Sequence, residues 1–400
     1  MTGTSVKRAT AIRLPGWTSG LRPSALQELL RRASGSEVTS FALGLPAEEL
    51  FPRRAYGLAL RNVLSTDPQA LQYGPSSASL RENVVELMRR RGVQCDRDEV
   101  FLTSGAQQGL SLLARLLLSP GASILTEHHV YPGFQQAVQP FEPRYHTVPT
   151  DRAAGIDVDA VEHVLRRFRP AFIYVNPEGH NPLSVSMSME ARSRLAAMAS
   201  EYGVPIVEDD VYGFLRYEGP DQPPMSALSR GHVFYVGSFS KTLAPALRVG
   251  WLIVPRELVP ILSVLKESTD LDTGTLTQRA LAAYLDRNDF AGHITRVCRA
   301  YRVRRDAMAA ALRRHFGPRA RWRSPTHGVF IWLDLEGDVD GRLLLERALD
   351  SARIAFVPSE AFAVPGGPQQ RNGLRLNFSH CTPAAIRDGI ARLAQVLDEV

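Results

Sequence analysis

A three-layer α/β fold with a mostly parallel sheet, followed by a smaller α+β domain, is the class this chain predicts. Three observations carry that prediction. Between about residues 80 and 270, short apolar runs alternate with helical segments, as in a parallel sheet covered on both faces. One of those runs is followed by Ser104-Gly105-Ala106-Gln107, a glycine turn that opens a helix. After a long helical stretch from residue 275 to about 316, the rhythm changes to separated strands and helices.

In chain order, the segment from Ser24 reads as a capped amphipathic helix, and Phe41 to Pro46 ends in a Gly/Pro turn, so residues 1–45 form a packing arm. The strand candidates are 100–103, 123–126, 171–175, 205–208, 233–236 and 251–254. In such a sheet, ligands bind outside the carboxyl ends of the strands. The later elements are a strand over 329–334, a helix near 342–352, strands over 354–357 and 374–378, and a last helix from Pro383.

The composition narrows the function classes. Apolar residues at 44% and charged residues at 22% are globular values, which exclude disordered and collagen-like chains. A net charge of +6 comes from dispersed arginines such as Arg89-Arg90-Arg91, Arg166-Arg167, Arg304-Arg305 and Arg313-Arg314. No aromatic-interleaved basic motif accompanies them, so they read as solvated helix faces and no nucleic-acid partner is expected. Cys95, Cys298 and Cys381 are too few and too far apart for a disulfide framework or a metal cluster, and a reducing cytoplasm fits. Residues 1–13 lack a signal-peptide pattern, and the apolar stretch 110–118 is short and broken by Arg115, so no membrane span is expected.

Lys241 carries the strongest chemical signal. It lies in Gly237-Ser238-Phe239-Ser240-Lys241, with Arg248 seven residues on, and only Lys7 and Lys266 accompany it in the chain. An amine on a hydroxyl-lined turn beside an arginine suits a Schiff base to an aldehyde cofactor bearing a phosphate, although a surface lysine on a Ser-rich loop has the same local look. The turn at Gly105 offers Ala106 and Gln107 N–H groups to an anion, or is an ordinary tight turn. Glu208-Asp209-Asp210-Val211-Tyr212 places carboxylates and a phenol where a buried strand emerges; a protonated pyridine nitrogen would meet such a charge, and no local ligand spacing favours a metal. Asn181, in a turn-rich segment, could donate to a phenolate, and Tyr131 could stack on a flat ring or fill the core. Arg375 sits inside Leu374-Arg375-Leu376 and calls for a carboxylate partner, from the protein or a substrate.

Together these segments closely resemble the fold-type I, class I/II aminotransferases that use pyridoxal 5'-phosphate. The resemblance is greatest to the branch holding kynurenine/2-aminoadipate aminotransferases and the effector domains of MocR-type regulators. It runs from about Phe41 to the C-terminus and rests on Gly44-Leu45-Pro46, Leu71-Gln72-Tyr73-Gly74-Pro75, 103–110, Asn181-Pro182, 208–216, 238–251 and Arg375. It implies a large cofactor-binding domain over 46–285, a small domain over 286–400 that packs with the arm, and a homodimer with shared active sites.

By the same resemblance, Lys241 would carry the internal aldimine, Asp209 would pair with the pyridine nitrogen, and Asn181 and Tyr212 would bond the phenolic oxygen. Tyr131 would stack on the ring. Ala106, Gln107, Ser238, Ser240 and Arg248 would hold the phosphate, and Tyr73 would reach the neighbouring subunit's phosphate. Arg375 would clamp the substrate α-carboxylate near Gly44 and Asn181. The implied activity moves an amino group from an α-amino acid to a 2-oxo acid. Decarboxylation, elimination and oxygen-dependent oxidation are open to the same fold, and a non-catalytic regulator domain is a third reading, disfavoured by the lack of a helix-turn-helix stretch before Phe41. The chain departs from the family where the usual Gln-Asn-Pro-Thr-Gly reads His180-Asn181-Pro182-Leu183-Ser184 and a usual serine reads Ala106.

Overall fold

The computed structural model describes residues 16–20 and 38–399. Its central sheet has seven strands: β1 (Val100–Thr103), β2 (Ser123–Glu127), β3 (Arg144–Val148), β4 (Ile173–Val175), β5 (Ile206–Asp209), β6 (Val233–Ser238) and β7 (Gly250–Ile253). Their spatial order is β1-β7-β6-β5-β4-β2-β3. All neighbours run parallel except β7, which is antiparallel to both β1 and β6. The six expected strands all form. The seventh, β3, escaped the sequence reading because Arg-Tyr-His-Thr-Val at a sheet edge buries only Val148 fully and shows no apolar run.

Side-chain alternation along the strands builds the two covered faces. Phe101 of β1 packs with Ile124, Phe172 and Phe234 beneath Leu110 and Leu113 of the helix Ala106–Leu117. Its neighbours Val100 and Leu102 face the other way, against Leu80, Val84, Trp251 and Leu281. Each fully buried Leu or Phe of this kind contributes roughly 1.5–3 kcal/mol. The helices start where the sequence supplies caps: Ser77 accepts from the Leu80 N–H ahead of Ala78–Arg90, and Ser188 from the Ala191 N–H ahead of Met189–Tyr202.

A second, four-stranded antiparallel sheet joins Ala320–Trp322, Phe330–Leu335, Gly373–Asn377 and Val357–Pro358, in that spatial order. The long helix expected over 275–316 is two helices, Thr275–Arg287 and Phe290–His315. Asp289 breaks it, because its side chain caps the second helix through the Gly292 N–H at 2.9 Å. Thr39–Ser40 pairs in parallel with Ile354–Ala355. The helix expected from Ser24 lies outside the described residues.

One reading of the arginine runs needs correction. Arg91, Arg304 and Arg305 are not on solvated faces: their side chains are 9%, 7% and 4% exposed and pair with Asp210, Glu49 and Glu218 respectively. Arg304 and Arg305 lie on the buried side of Phe290–His315, Arg91 is the residue that ends Ala78–Arg90, and burial of each guanidinium required a carboxylate.

Candidate active site

The carboxyl ends of β4, β5 and β6 open into a cavity of about 210 Å³ that also meets the Phe330–Leu335 and Gly373–Asn377 strands. Twelve of the thirteen residues singled out from the sequence line it: Gly44, Ala106, Gln107, Tyr131, Asn181, Asp209, Tyr212, Ser238, Ser240, Lys241, Arg248 and Arg375. Tyr73 does not. It is 83% exposed on the outer surface.

Close backbone approach shapes one end of the cavity so that it could hold an anion. Gly105 has φ +88, and a Cβ there would lie 2.6 Å from the Arg248 Nη2. A Cβ on Gly250 would lie 2.8 Å from the Ala106 N. Both positions therefore require glycine. The helix that follows has no side-chain cap at Gly105, so its first N–H groups, on Ala106 and Gln107, face the cavity at the positive end of the helix. Arg248 adds a cation, donating to Ser104 O at 3.1 Å and to Ser240 Oγ at 3.5 Å. Gln107 reaches Gly133 O at 2.7 Å, and a side chain at Gly133 would strike the ring of Tyr131, so that turn is built to hold the aromatic face in place.

Three consecutive acids diverge at the end of β5. Glu208 turns back and accepts from the Met225 and Ser226 N–H groups at 2.6 and 2.9 Å. Asp210 pairs with Arg91. Asp209 alone lines the cavity, accepting from Tyr174 Oη at 2.7 Å through Oδ2, while its buried Oδ1 has no partner. Burial pushes the Asp209 carboxyl up to about 6, against the Tyr174 hydrogen bond. Such an orphaned acceptor fits a cationic ring nitrogen.

Lys241 donates from Nζ to Gly44 O at 2.8 Å. Burial, then the guanidinium groups of Arg375 and Arg248, push its amine down to about 8, with Asp209 opposing. Arg375 lies between the rings of Phe330 and Phe362, 4.0 and 4.9 Å from their centroids, and donates to Asn181 Oδ1 at 2.7 Å and to Ala42 O at 2.5 Å. Its Nε is buried without a partner, and burial pushes the group down to about 10. Among the described residues no carboxylate pairs with it.

His180 is not in the cavity. It is turned away, with Nε2 3.0 Å from Glu127 and Nδ1 accepting from the Leu183 N–H at 3.2 Å, so this departure from the family motif is a rearranged polar contact. Ser184 sits in the left-handed region at φ 60, where the family's motif has glycine. The sequence reading missed five cavity residues: Leu110, Asn176, Val211, Pro245 and Phe330. For Phe330 the signal lies in the sheet register and not in the sequence. Trp332 is paired with Arg375 across the sheet, and strand alternation puts residue 330 on that same face.

An open helix end, an orphaned carboxylate and an amine of lowered basicity in one cavity are the parts a pyridoxal-phosphate enzyme needs, and these residues fit that cofactor. Residues 50–393 match the family model for aminotransferase class I and II. The chain is 36% identical to an aromatic-amino-acid aminotransferase of Thermococcus litoralis over 390 residues, covering 95% of this chain and 93% of that one. It is also 36% identical to a 2-aminoadipate transaminase of Thermus thermophilus, covering 94% of each. The crystal structure of an α-aminoadipate aminotransferase from Thermus thermophilus, complexed with N-(5'-phosphopyridoxyl)-L-leucine, superimposes with a TM-score of 0.89 at 36% identity, covering 96% and 97% of the two chains. A Pyrococcus horikoshii kynurenine aminotransferase gives 0.90 at 34% identity, with the same coverage. The fold is that of the fold-type I pyridoxal-phosphate-dependent transferases. Within it, the chain belongs to the class I and II aminotransferases and is an enzyme that transfers amino groups with pyridoxal phosphate.

Proposed function

We propose that the donor is an α-amino acid and the acceptor a 2-oxo acid, both held by Arg375 through the carboxylate they share. The observation that carries this reading is a buried guanidinium with an unpartnered Nε and, among the described residues, no acid paired with it, since such a charge is costly unless a carboxylate arrives. Asn181 orients Arg375 and the two flanking phenylalanine rings exclude water from it. The cofactor, once bound, supplies an electron sink for the bond broken at the substrate Cα. Asp209 would hold the ring nitrogen protonated through Oδ1, and Asn181 and Tyr212 would bond the phenolic oxygen. Tyr131 would cover the ring, and Ala106, Gln107, Ser238, Ser240 and Arg248 would hold the phosphate. Lys241, with its lowered basicity, would be the covalent anchor and then the base that takes the proton from Cα.

Arg375→Lys keeps the charge and loses the planar two-bond fork, and should cost on the order of 2–4 kcal/mol in kcat/KM for amino acids. The cofactor spectrum should stay unchanged. Steady-state kinetics on an amino acid and on the matching amine, which has no carboxylate, read this out: unaltered activity toward the amino acid would place the carboxylate site elsewhere.

The same reading makes the enzyme a homodimer in which Tyr73 serves the partner's phosphate site, and divides each chain into an arm (1–45), a large domain (46–285) and a small domain (286–400). What supports the dimer is an outer surface that leaves Leu58, Leu64, Leu71, Tyr73 and Val264 exposed. Light scattering should give twice the 44.1 kDa chain mass, and Tyr73→Phe should weaken cofactor retention without unfolding; an active monomer would contradict both. Three free cysteines, Cys95, Cys298 and Cys381, support a cytoplasmic setting. Arginines engaged in ion pairs, such as Arg304 and Arg305, support the absence of a nucleic-acid partner. No membrane partner is part of this reading; among the described residues no helix is long and apolar enough to cross a membrane.

A further inference from the structure

A phenol in the middle of a central parallel strand must place its hydroxyl against a partner or leave it dry. Tyr174 sits between Ile173 and Val175 in β4 and is buried. Its ring lies flat on that of Phe134, with centroids 3.7 Å apart and planes 10° apart. The ring is thus fixed by stacking, and the direction of its hydroxyl is fixed with it. That hydroxyl donates to Asp209 Oδ2 at 2.7 Å, while Asn176, two residues on, donates to the Asp209 main-chain oxygen. Both contacts restrain Asp209 from the neighbouring strand and leave Oδ1 as its free face.

We propose that Tyr174 is a positioning residue: its hydroxyl pins one oxygen of Asp209 and keeps that carboxylate ionised, so that the other oxygen is presented to the ring nitrogen of pyridoxal phosphate. The inference rests on the assignment of Asp209 to that nitrogen. Burial raises the Asp209 carboxyl to about 6, the Tyr174 bond opposes the rise, Asp210 adds to it, and His180 and Lys241 oppose it. Tyr131 and Tyr212 also face Asp209, as neutral phenols that burial keeps protonated. Without the Tyr174 donor the carboxyl would take up its proton at a higher pH, and a neutral carboxyl cannot neutralise a protonated pyridine.

The test is binding of pyridoxal phosphate to cofactor-stripped wild type, Tyr174→Phe, Asp209→Ala and the double variant, followed by fluorescence between about pH 6 and 9. Tyr174→Phe should bind about 10- to 100-fold more weakly at neutral pH, the range for a lost hydrogen bond to a charged group. The gap should narrow as pH rises and Asp209 ionises in the variant too. With Asp209 already alanine, removing the hydroxyl should change affinity by less than about twofold. Tyr174→His, which keeps a ring donor, should recover part of the loss and replaces Tyr174→Phe in the comparison if that variant does not fold. The proposal is overturned by a loss equal at every pH, by no loss, or by penalties that add in the double variant. Wild-type affinity in Asp209→Ala alone would instead remove the Asp209 assignment itself.

Discussion

Lys241→Ala should remove turnover by at least about 10⁴-fold, because in the roles proposed for it one substitution deletes both the nucleophile and the proton-transfer base. Cofactor should still bind reversibly, since the turn at Ala106 and Gln107 and the Arg248 guanidinium are untouched by the change. Borohydride reduction of the wild type followed by peptide mass spectrometry should place the cofactor on Lys241. The competing amines are few: Lys7 and Lys266 are the remaining lysines, and Lys266 is buried and committed to Asp270 and Gln108 at 2.9 and 2.8 Å. A cofactor found on Lys266 would overturn the assignment. The reaction of cofactor-stripped enzyme with the aldehyde needs the neutral amine, so its rate should climb with pH through about 8, the value to which Lys241 is lowered, and flatten above it. An ordinary lysine, near 10.4, would still be climbing about two pH units later. Stopped-flow capture rates across that range distinguish the two.

The parts legible in sequence were those where one residue type had to satisfy one local demand. Buried strands needed apolar runs, so β1, β4, β5 and β6 were visible; the half-wet edge strand β3 did not need one and was invisible. Gly105 and Lys241 stood out because a positive φ and a reactive amine leave little choice of residue. What pairwise contact decides could not be read in one dimension. Tyr174 looks like any core aromatic until β4 is laid beside β5, and Phe330 looks like any strand residue until its sheet register with Arg375 is known. His180 pointed the opposite way. It directly precedes Asn181 in the chain, yet its ring leaves the cavity for Glu127 on β2.

The largest expected loss of stability follows from Glu178, which the sequence offered only as part of a turn. It is buried, as is Arg192, and they meet at 2.7 Å; Arg216 approaches the same oxygen at 3.5 Å, and His327 Nε2 lies 2.9 Å from the other. Burial raises the Glu178 carboxyl, but the contacts to His327 and Arg192 outweigh it and hold it down at about 2. Glu178→Ala would leave the Arg192 guanidinium buried without a counter-charge, which costs about 3–5 kcal/mol when a buried pair is broken from one side. The value should fall toward the lower end, because Arg192 also donates to Met187, Pro177 and Pro223 main-chain oxygens at 3.2, 3.3 and 3.1 Å. The sign of the pH dependence is fixed by the depressed carboxyl. Its stabilisation is fully present above the unfolded value near 4.3 and is lost as pH falls through about 2, so the gap between wild type and variant should be constant at neutral pH and shrink in acid. Function should suffer as well. Glu178 joins the loop that carries Asn181 to the chain just ahead of Phe330, where Gly179 and Gly328 pack so closely that a Cβ on Gly179 would lie 2.8 Å from the Gly328 Cα. Loosening that junction frees Asn181 from Arg375, and KM for the amino acid should rise while the cofactor stays bound. Urea unfolding and steady-state kinetics on the same preparation test both effects; a variant as stable as wild type at pH 7, within about 0.5 kcal/mol, would show that desolvation cancels the whole network.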